Sequence, residues 1–204
     1  DRDYKVLPYS WAASTPLSNF EANMDYRDVE DPSIYFTLDA RDNYKKIIKG
    51  DKFLVWTTTP WCIPGNLAIA VGKEIEYSRI SIKNNFYWIA TDRLFEMKDH
   101  EIEIVDVSYG KDLIGASYIP AYNEYEHLFK EGAFRIIHSD DTNTESGSGL
   151  VSQAPAYGES DFYALKNANI DVIADPVTLS GRFDSTFKEL NGLNVKDADK
   201  LIMD

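Results

Sequence analysis

Short apolar strands follow one another along this chain with hardly a helix between them, and that spacing limits its fold most. Residues 34–38 read Ile-Tyr-Phe-Thr-Leu, a run rich in strand formers. Residues 53–56 and 67–71 are short apolar runs of the kind that buried strands show. Residues 80–82 and 86–89 flank Lys83-Asn84-Asn85, a hairpin signal. Residues 101–104 alternate Glu-Ile-Glu-Ile, as a half-buried strand does, and 134–137 adds one more. Helical signals are few. One covers 161–169, with Ser160 as its cap and Phe162, Leu165 and Ala168 at helical spacing; a short one covers 91–97. A last one follows Asn194 as cap and sets Ala198, Leu201 and Ile202 on one face. A parallel array needs a crossover helix between strands. The pattern therefore predicts a mixed, strand-rich α+β fold: a curved or closed, barrel-like sheet with a few short helices.

At 204 residues the chain can bury a full core without staples. No repeat, low-complexity tract or long linker divides it. One domain over 1–204 is expected, with 1–33 as a connecting arm and 34–204 as a barrel-like core ending in a helix. The first residue is Asp1 rather than Met, and the last residues stop inside a predicted helix. The chain thus reads as a piece of a longer protein. Its single cysteine excludes an intramolecular disulfide and a Cys-based zinc site. No apolar run approaches the ~20 residues that cross a bilayer, and no basic-then-apolar leader opens the chain. A reduced, cytoplasmic compartment is expected, with no membrane partner. The net charge is −13, and residues 138–204 carry 5 basic against 12 acidic side chains. Duplex-nucleic-acid binders usually present a basic face, so no DNA partner is expected and any RNA affinity of this chain alone should be weak.

Familiar catalytic equipment is scarce. His100, His127 and His138 are scattered, with no pair at metal-binding spacing. Gly147-Ser148-Gly149 is followed by a strand-like Leu-Val-Ser-Gln run, so it reads as a turn rather than a dinucleotide fingerprint. Two segments stand out. In Trp56-Thr57-Thr58-Thr59-Pro60-Trp61-Cys62-Ile63-Pro64-Gly65-Asn66, three threonines leave a strand and two prolines stiffen the turns that follow. Successive strand side chains point to opposite faces, so at least one threonine should face a pocket if the strand end is open. The plainer reading is a β-run ending in a rigid loop. The second segment runs from Gly147 through Val151-Ser152-Gln153-Ala154-Pro155 to Tyr157-Gly158-Glu159-Ser160-Asp161. Asp161 then falls in the first turn of a helix, where an acid is either a favourable dipole partner or, turned into a pocket, a site for an ammonium group.

Together these segments resemble the editing domain of class I aminoacyl-tRNA synthetases of the isoleucyl, valyl and leucyl group. The Trp-Thr-Thr-Thr-Pro-Trp run at 56–61, continuing to Pro64-Gly65-Asn66-Leu67-Ala68, is most similar to the isoleucyl enzymes. The Gly-Ser-Gly-Leu-Val stretch at 147–151, with Ala154-Pro155, Gly158 and Asp161, resembles the second editing motif. The arm from Lys5 to Ser10, with 15–21, is similar to the start of the same insertion, and 194–199 to its end.

The resemblance implies a strand-rich barrel that receives the 3′ end of tRNA(Ile) carrying valine and hydrolyses the aminoacyl ester. It implies catalytic roles for Asp161, Thr57, Thr58 and Thr59, and substrate contacts from Trp56, Cys62, Asn66, Gly149, Val151, Ser152, Ala154 and Tyr157. Asp161 would hold the α-ammonium group, and the glycine-rich turn would let the terminal adenosine approach the backbone. No metal or organic cofactor is implied for editing; ATP and Mg would serve the parent enzyme. The remainder of that synthetase is the expected partner, and a monomer is expected. The nucleotide-binding signatures of the family are absent, so this chain would not activate an amino acid. It departs from the family pattern at two positions: Ser152 stands where histidine is usual, and Cys62 where threonine is usual. Serine is smaller, so the pocket is expected to be wider, or water positioning weaker. Two other readings follow: a vestigial fold that holds the acceptor end without cleaving, and an acidic interaction module whose threonines are structural.

Overall fold

A computed structural model describes residues 6–24 and 32–204. Much of the arm, including Lys5, lies outside the described residues. The part that is described forms a two-stranded ribbon, β1 (Tyr9–Ser10) with β2 (Thr15–Pro16). A one-turn helix follows, α1 (Asn19–Ala22), closed by a reciprocal Ser18–Glu21 capping box.

Eight strands build the main sheet. They are β3 (Ile34–Asp39), β4 (Lys52–Thr57), β5 (Ala68–Val71), β6 (Glu76–Ile82), β7 (Asn85–Ala90), β8 (Glu103–Tyr109), β9 (Arg135–His138) and β10 (Val151–Gln153). The order is β8-β6-β7-β4-β10-β5-β9, with β3 against the other edge of β4. The sheet curls until its ends nearly meet. Ser117 bridges Arg135 of β9, and Tyr118 bridges Ala40 just after β3. Residues 115–119 thus join β9 to β3 and close a ring through β4, β10 and β5. This is the strand-rich, barrel-like α+β fold that the strand spacing predicts.

The apolar runs sit where closure needs them. All of β5 is buried, as expected of a strand paired on both sides inside a curled sheet. Phe53, Val55, Leu67, Ile69, Trp88 and Phe134 are almost fully buried in the same core. The predicted hairpin forms between β6 and β7, its two-residue turn carrying Lys83 at φ +48° and Asn84 at φ +65°. The predicted 101–104 strand is displaced: β8 begins two residues later and runs on to Tyr109. It is an edge strand with β6 as its neighbour, and Ile104 is exposed rather than half-buried. Residues 91–97 form a 3-10 helix rather than an α-helix. A one-turn helix, α2 (Gly110–Leu113), leads into the closing segment.

Strand β4 forks. Lys52 and Phe53 pair in parallel with β7, whereas Trp56 pairs in parallel with Val151 of β10. The 147–150 turn fills the fork: Ala90 N–H donates to the Ser148 carbonyl, and Trp56 N–H donates to the Leu150 carbonyl. Below it, the buried Asp51 carboxylate takes two hydrogen bonds from Arg79, at 2.8 and 2.7 Å, and one from Trp88 Nε1 at 3.1 Å.

Two longer helices follow: α3 (Glu159–Asn167), which packs on β9 and β10, and α4 (Val195–Met203), which packs on the 3-10 helix at 60–65. Asn194 caps α4 as predicted, accepting from Lys196 N–H at 3.1 Å. The buried face of α4 is Val195, Ala198 and Asp199; Leu201, predicted on that face, is exposed. Positions 195, 198, 199 and 202 follow the helical stripe, and 201 falls beside it.

Candidate functional site

Strands β4 and β10 run parallel and end side by side, and a pocket of about 250 Å³ opens beyond their ends. The chain leaves β4 at Thr57 and enters a 3-10 helix, Pro60–Gly65. It leaves β10 at Gln153 and turns through 154–158 into α3. Parallel strands deliver two connections to the same end, so segments almost a hundred residues apart in sequence meet here.

All four residues proposed as catalytic line this pocket: Thr57, Thr58, Thr59 and Asp161. So do Trp56, Cys62, Val151, Ser152, Ala154 and Tyr157. Thr57 is buried and Thr58 exposed. The Thr57 and Thr59 hydroxyls lie 3.3 Å apart, and Thr59 N–H donates to Thr57 Oγ1 at 3.2 Å. That contact brings the Thr57 and Thr59 hydroxyls together at the strand end, and all three threonines line the opening.

Asp161 is the third residue of α3. Ser160, predicted as the cap, lies within the first turn; Gly158 is the cap residue, without a side-chain bond. A Cβ at Gly158 would stand 2.9 Å from the Asp161 carboxyl carbon. The Asp161 carboxylate accepts from Ala154 N–H at 2.8 Å and from the Ser160 hydroxyl at 3.3 Å. Burial raises its pKa above the ordinary carboxylate range, against the lowering effect of those hydrogen bonds.

Two predicted contacts stand back from the opening. Asn66 is buried behind it, donating to Ser152 Oγ at 2.9 Å. Gly149 does not line the pocket. It plugs the fork in the sheet at φ +77°, its carbonyl accepting from the Tyr77 hydroxyl at 2.7 Å, and a Cβ there would meet Ala90 Cβ at 2.5 Å. Packing against Ala90 is by itself enough to require the glycine. Cys62 is buried, and loss of solvent pushes its thiol up to about 12. Its position in the pocket wall is thus that of a small buried residue, with the thiol held far from the thiolate form that reacts.

No family model matches the chain. It is 41% identical, over 98% of its length, to the isoleucine–tRNA ligases of Bdellovibrio bacteriovorus and Protochlamydia amoebophila. It is 38% identical, over 99% of its length, to the cytoplasmic isoleucine–tRNA ligase of Saccharomyces cerevisiae. The chain spans 19% of the length of each of these relatives. The chain is homologous to a segment of the isoleucyl-tRNA synthetases. Two solved structures give the fold of this part of the synthetase. The crystal structure of GlLeuRS-CP1 matches with a TM-score of 0.61 at 13% identity, covering 84% of this chain and 94% of that one. The Plasmodium knowlesi cytosolic leucyl-tRNA synthetase editing domain matches with a TM-score of 0.61 at 9% identity, covering 88% of this chain and 95% of that one. The synthetase segment therefore has an editing-domain fold.

Sequence reasoning passed over several groups around this site. Trp61 lines the pocket and packs on Tyr157, ring centroids 4.9 Å apart. Its N–H donates to the buried Asp199 carboxylate of α4 at 2.8 Å. The pair is 138 residues apart, and no local pattern announces it. A second, larger cleft of about 960 Å³ lies beside α3 and β9, where Arg135, His138, Asp141 and Tyr163 contribute. None of the predicted site residues lines it. Among the described residues no group of three His, Cys, Asp or Glu side chains is placed to hold a metal ion, and no helix is long and apolar enough to cross a membrane.

Proposed function

We propose that this domain performs post-transfer editing: it hydrolyses the ester of valyl-tRNA(Ile) for an isoleucine–tRNA ligase. The observation that carries the reading is the convergence of three successive threonines and a half-buried carboxylate on one 250 Å³ pocket. A synthetic site that accepts isoleucine rejects valine by only ~1–3 kcal/mol, a limit known from isoleucyl-tRNA synthetase itself. A second, smaller site removes what the first lets through.

An aminoacyl ester is already activated, and water can attack its carbonyl carbon. The bond to the ribose oxygen breaks, and free valine and a tRNA hydroxyl leave. The ionised Asp161 accepts a charge-assisted hydrogen bond from the α-ammonium group. Thr57, Thr58 and Thr59 orient the amino acid, the terminal ribose or the water, so most of the acceleration is positional. Cys62 stays protonated, held by burial at about 12, and is no nucleophile. Asn66 supports the site from behind. The step uses no metal or organic cofactor; ATP and Mg belong to activation by the parent enzyme. The domain works as a monomeric unit in the cytoplasm, with the rest of the synthetase delivering the tRNA end.

The test is a deacylation time course on preformed valyl-tRNA(Ile) at high domain concentration, beside Asp161→Ala. Hydrolysis that disappears in the variant supports the reading. Binding of the charged end without hydrolysis by either protein favours the vestigial, binding-only alternative. Ser152 bears on specificity: serine in place of the family's usual histidine widens the pocket and relaxes exclusion of isoleucine. Equal valyl-to-isoleucyl rate ratios for wild type and Ser152→His would refute that.

A further inference from the structure

The side chains behind the pocket fix the direction in which one of its hydroxyls acts. Asn66 Nδ2 donates to the Ala68 carbonyl at 2.8 Å and to Ser152 Oγ at 2.9 Å. Its Oδ1 accepts from the Tyr118 hydroxyl at 2.5 Å. A carbonyl can only accept, so the amide has one orientation; turned over, it would set two oxygens 2.8 Å apart. Tyr118 is fully buried, and in that orientation its hydroxyl is the donor to Oδ1. Both amide protons are then in use, and Ser152 Oγ is an acceptor toward Asn66. Its own proton must go elsewhere. Among the described residues no hydrogen bond takes it, and Ser152 lines the pocket. The site therefore presents a directed O–H donor to whatever it binds.

The surroundings indicate which part of the ester it meets. Ser152 lines the pocket together with the apolar residues Val151 and Ala154 of its own segment, whereas Thr57–Thr59 come from the other connection, and Asp161 reaches in from α3 against the Ala154 N–H. The side chain is the apolar end of an aminoacyl ester and belongs against the apolar stretch. An oxygen on the β-carbon there would lose its water partners and regain one from Ser152.

We infer that the Ser152 hydroxyl, set by Asn66 and Tyr118, donates to a β-hydroxyl of the bound amino acid, so that the pocket favours threonyl esters over their isostere, valyl esters. The inference rests on the editing reading and adds a substrate class to it. Asn66 and Tyr118 are positioning residues; Ser152 is the specificity determinant.

The experiment measures affinities of the whole chain for two non-hydrolysable probes, adenosine carrying threonine or valine through a 3′-amide. The threonyl probe is expected to bind about fivefold more tightly, the usual yield of one net hydrogen bond. Ser152→Ala is expected to bring the ratio close to one, and Ser152→Thr, which keeps the hydroxyl, to restore it. Equal affinities in the wild type, or a preference that survives Ser152→Ala, would overturn the inference and leave editing standing. Failure of both probes to bind the wild type, with no ester hydrolysis, would overturn the editing reading and this inference together.

Discussion

Replacing Asp161 by asparagine and by alanine should separate its part in the fold from its part in the site. The carboxylate accepts from Ala154 N–H at 2.8 Å, and an asparagine Oδ1 can keep that bond. Alanine cannot, and it leaves a half-buried N–H unpartnered at a cost of about 1–3 kcal/mol. Burial raises the carboxyl pKa, so folding disfavours the charged form relative to the unfolded chain. The stability this group contributes is then fullest below the ordinary carboxylate pKa and is lost as pH rises through the raised value. At neutral pH the charged form is a burden that asparagine lacks. Asp161→Asn should therefore match or slightly exceed wild-type stability in urea at pH 7, while Asp161→Ala falls below it. Ligand binding should run the other way. Only the ionised carboxylate makes a full charge-assisted bond to the α-ammonium, worth about 1.5–3 kcal/mol, or roughly 10- to 150-fold in kcat/KM. Both variants should lose that much in deacylation of valyl-tRNA(Ile). Wild-type binding should also weaken as pH is lowered, beginning above the usual carboxylate range. An asparagine variant that deacylates within threefold of wild type, or that unfolds like the alanine variant, would refute this division of roles.

Two further outcomes follow from buried groups. Asp51→Ala removes the partner of Arg79, whose side chain is 8% exposed, and should cost about 3–5 kcal/mol in urea unfolding because a charge is left buried and alone. A loss under 1 kcal/mol would mean that solvent reaches Arg79. Cys62, with its thiol at about 12, should be only about 1 part in 10⁴ thiolate at pH 8 and resist iodoacetamide in the folded protein while reacting freely in urea. Modification of the native chain at the rate of an exposed thiol would contradict the burial.

The strands were legible because their signals are local. Apolar runs at 53–56, 67–71 and 134–137 become β4, β5 and β9 with boundaries shifted by a residue or so, and the hairpin at 83–84 is written in its turn residues. What misled was tertiary. The alternation at 101–104 looked half-buried, but β8 lies at the sheet edge, where Ile104 stays in solvent. Ser160 looked like a cap because hydroxyls usually are; the helix instead begins two residues earlier, with Gly158 as the cap, where a Cβ would crowd Asp161. Gly149 looked like a ligand-facing glycine, yet its lack of a side chain lets it fit beside Ala90 in the fork of the sheet. The pocket membership of the two motifs came from their resemblance to a family, because spacing alone favoured the structural reading of the threonines and of Asp161.

The geometry that spacing could not show is the support behind the threonine loop. A short loop after β4 has no ladder of its own and needs partners to hold three hydroxyls in place. The chain's last thirty or so residues supply them. Phe183, Phe187, Leu190, Val195 and Ala198 form a small core of their own, and Trp61 packs against it. Tyr122 and Tyr125 close that core through edge and tilted contacts with Phe187, centroids 5.3 and 5.8 Å away. Trp61 then works in two directions. Its backbone is tied to Asp199 of α4, and its ring lies on Tyr157, which forms the opposite wall of the pocket. Both motif segments are thereby referenced to one indole. The barrel sets where the two strand ends meet, and the C-terminal core sets how rigidly they are held. The proposed editing, which would tell amino acids apart by a methyl group or a hydroxyl, would need both, because near-misses of an ångström erase differences of one or two kcal/mol.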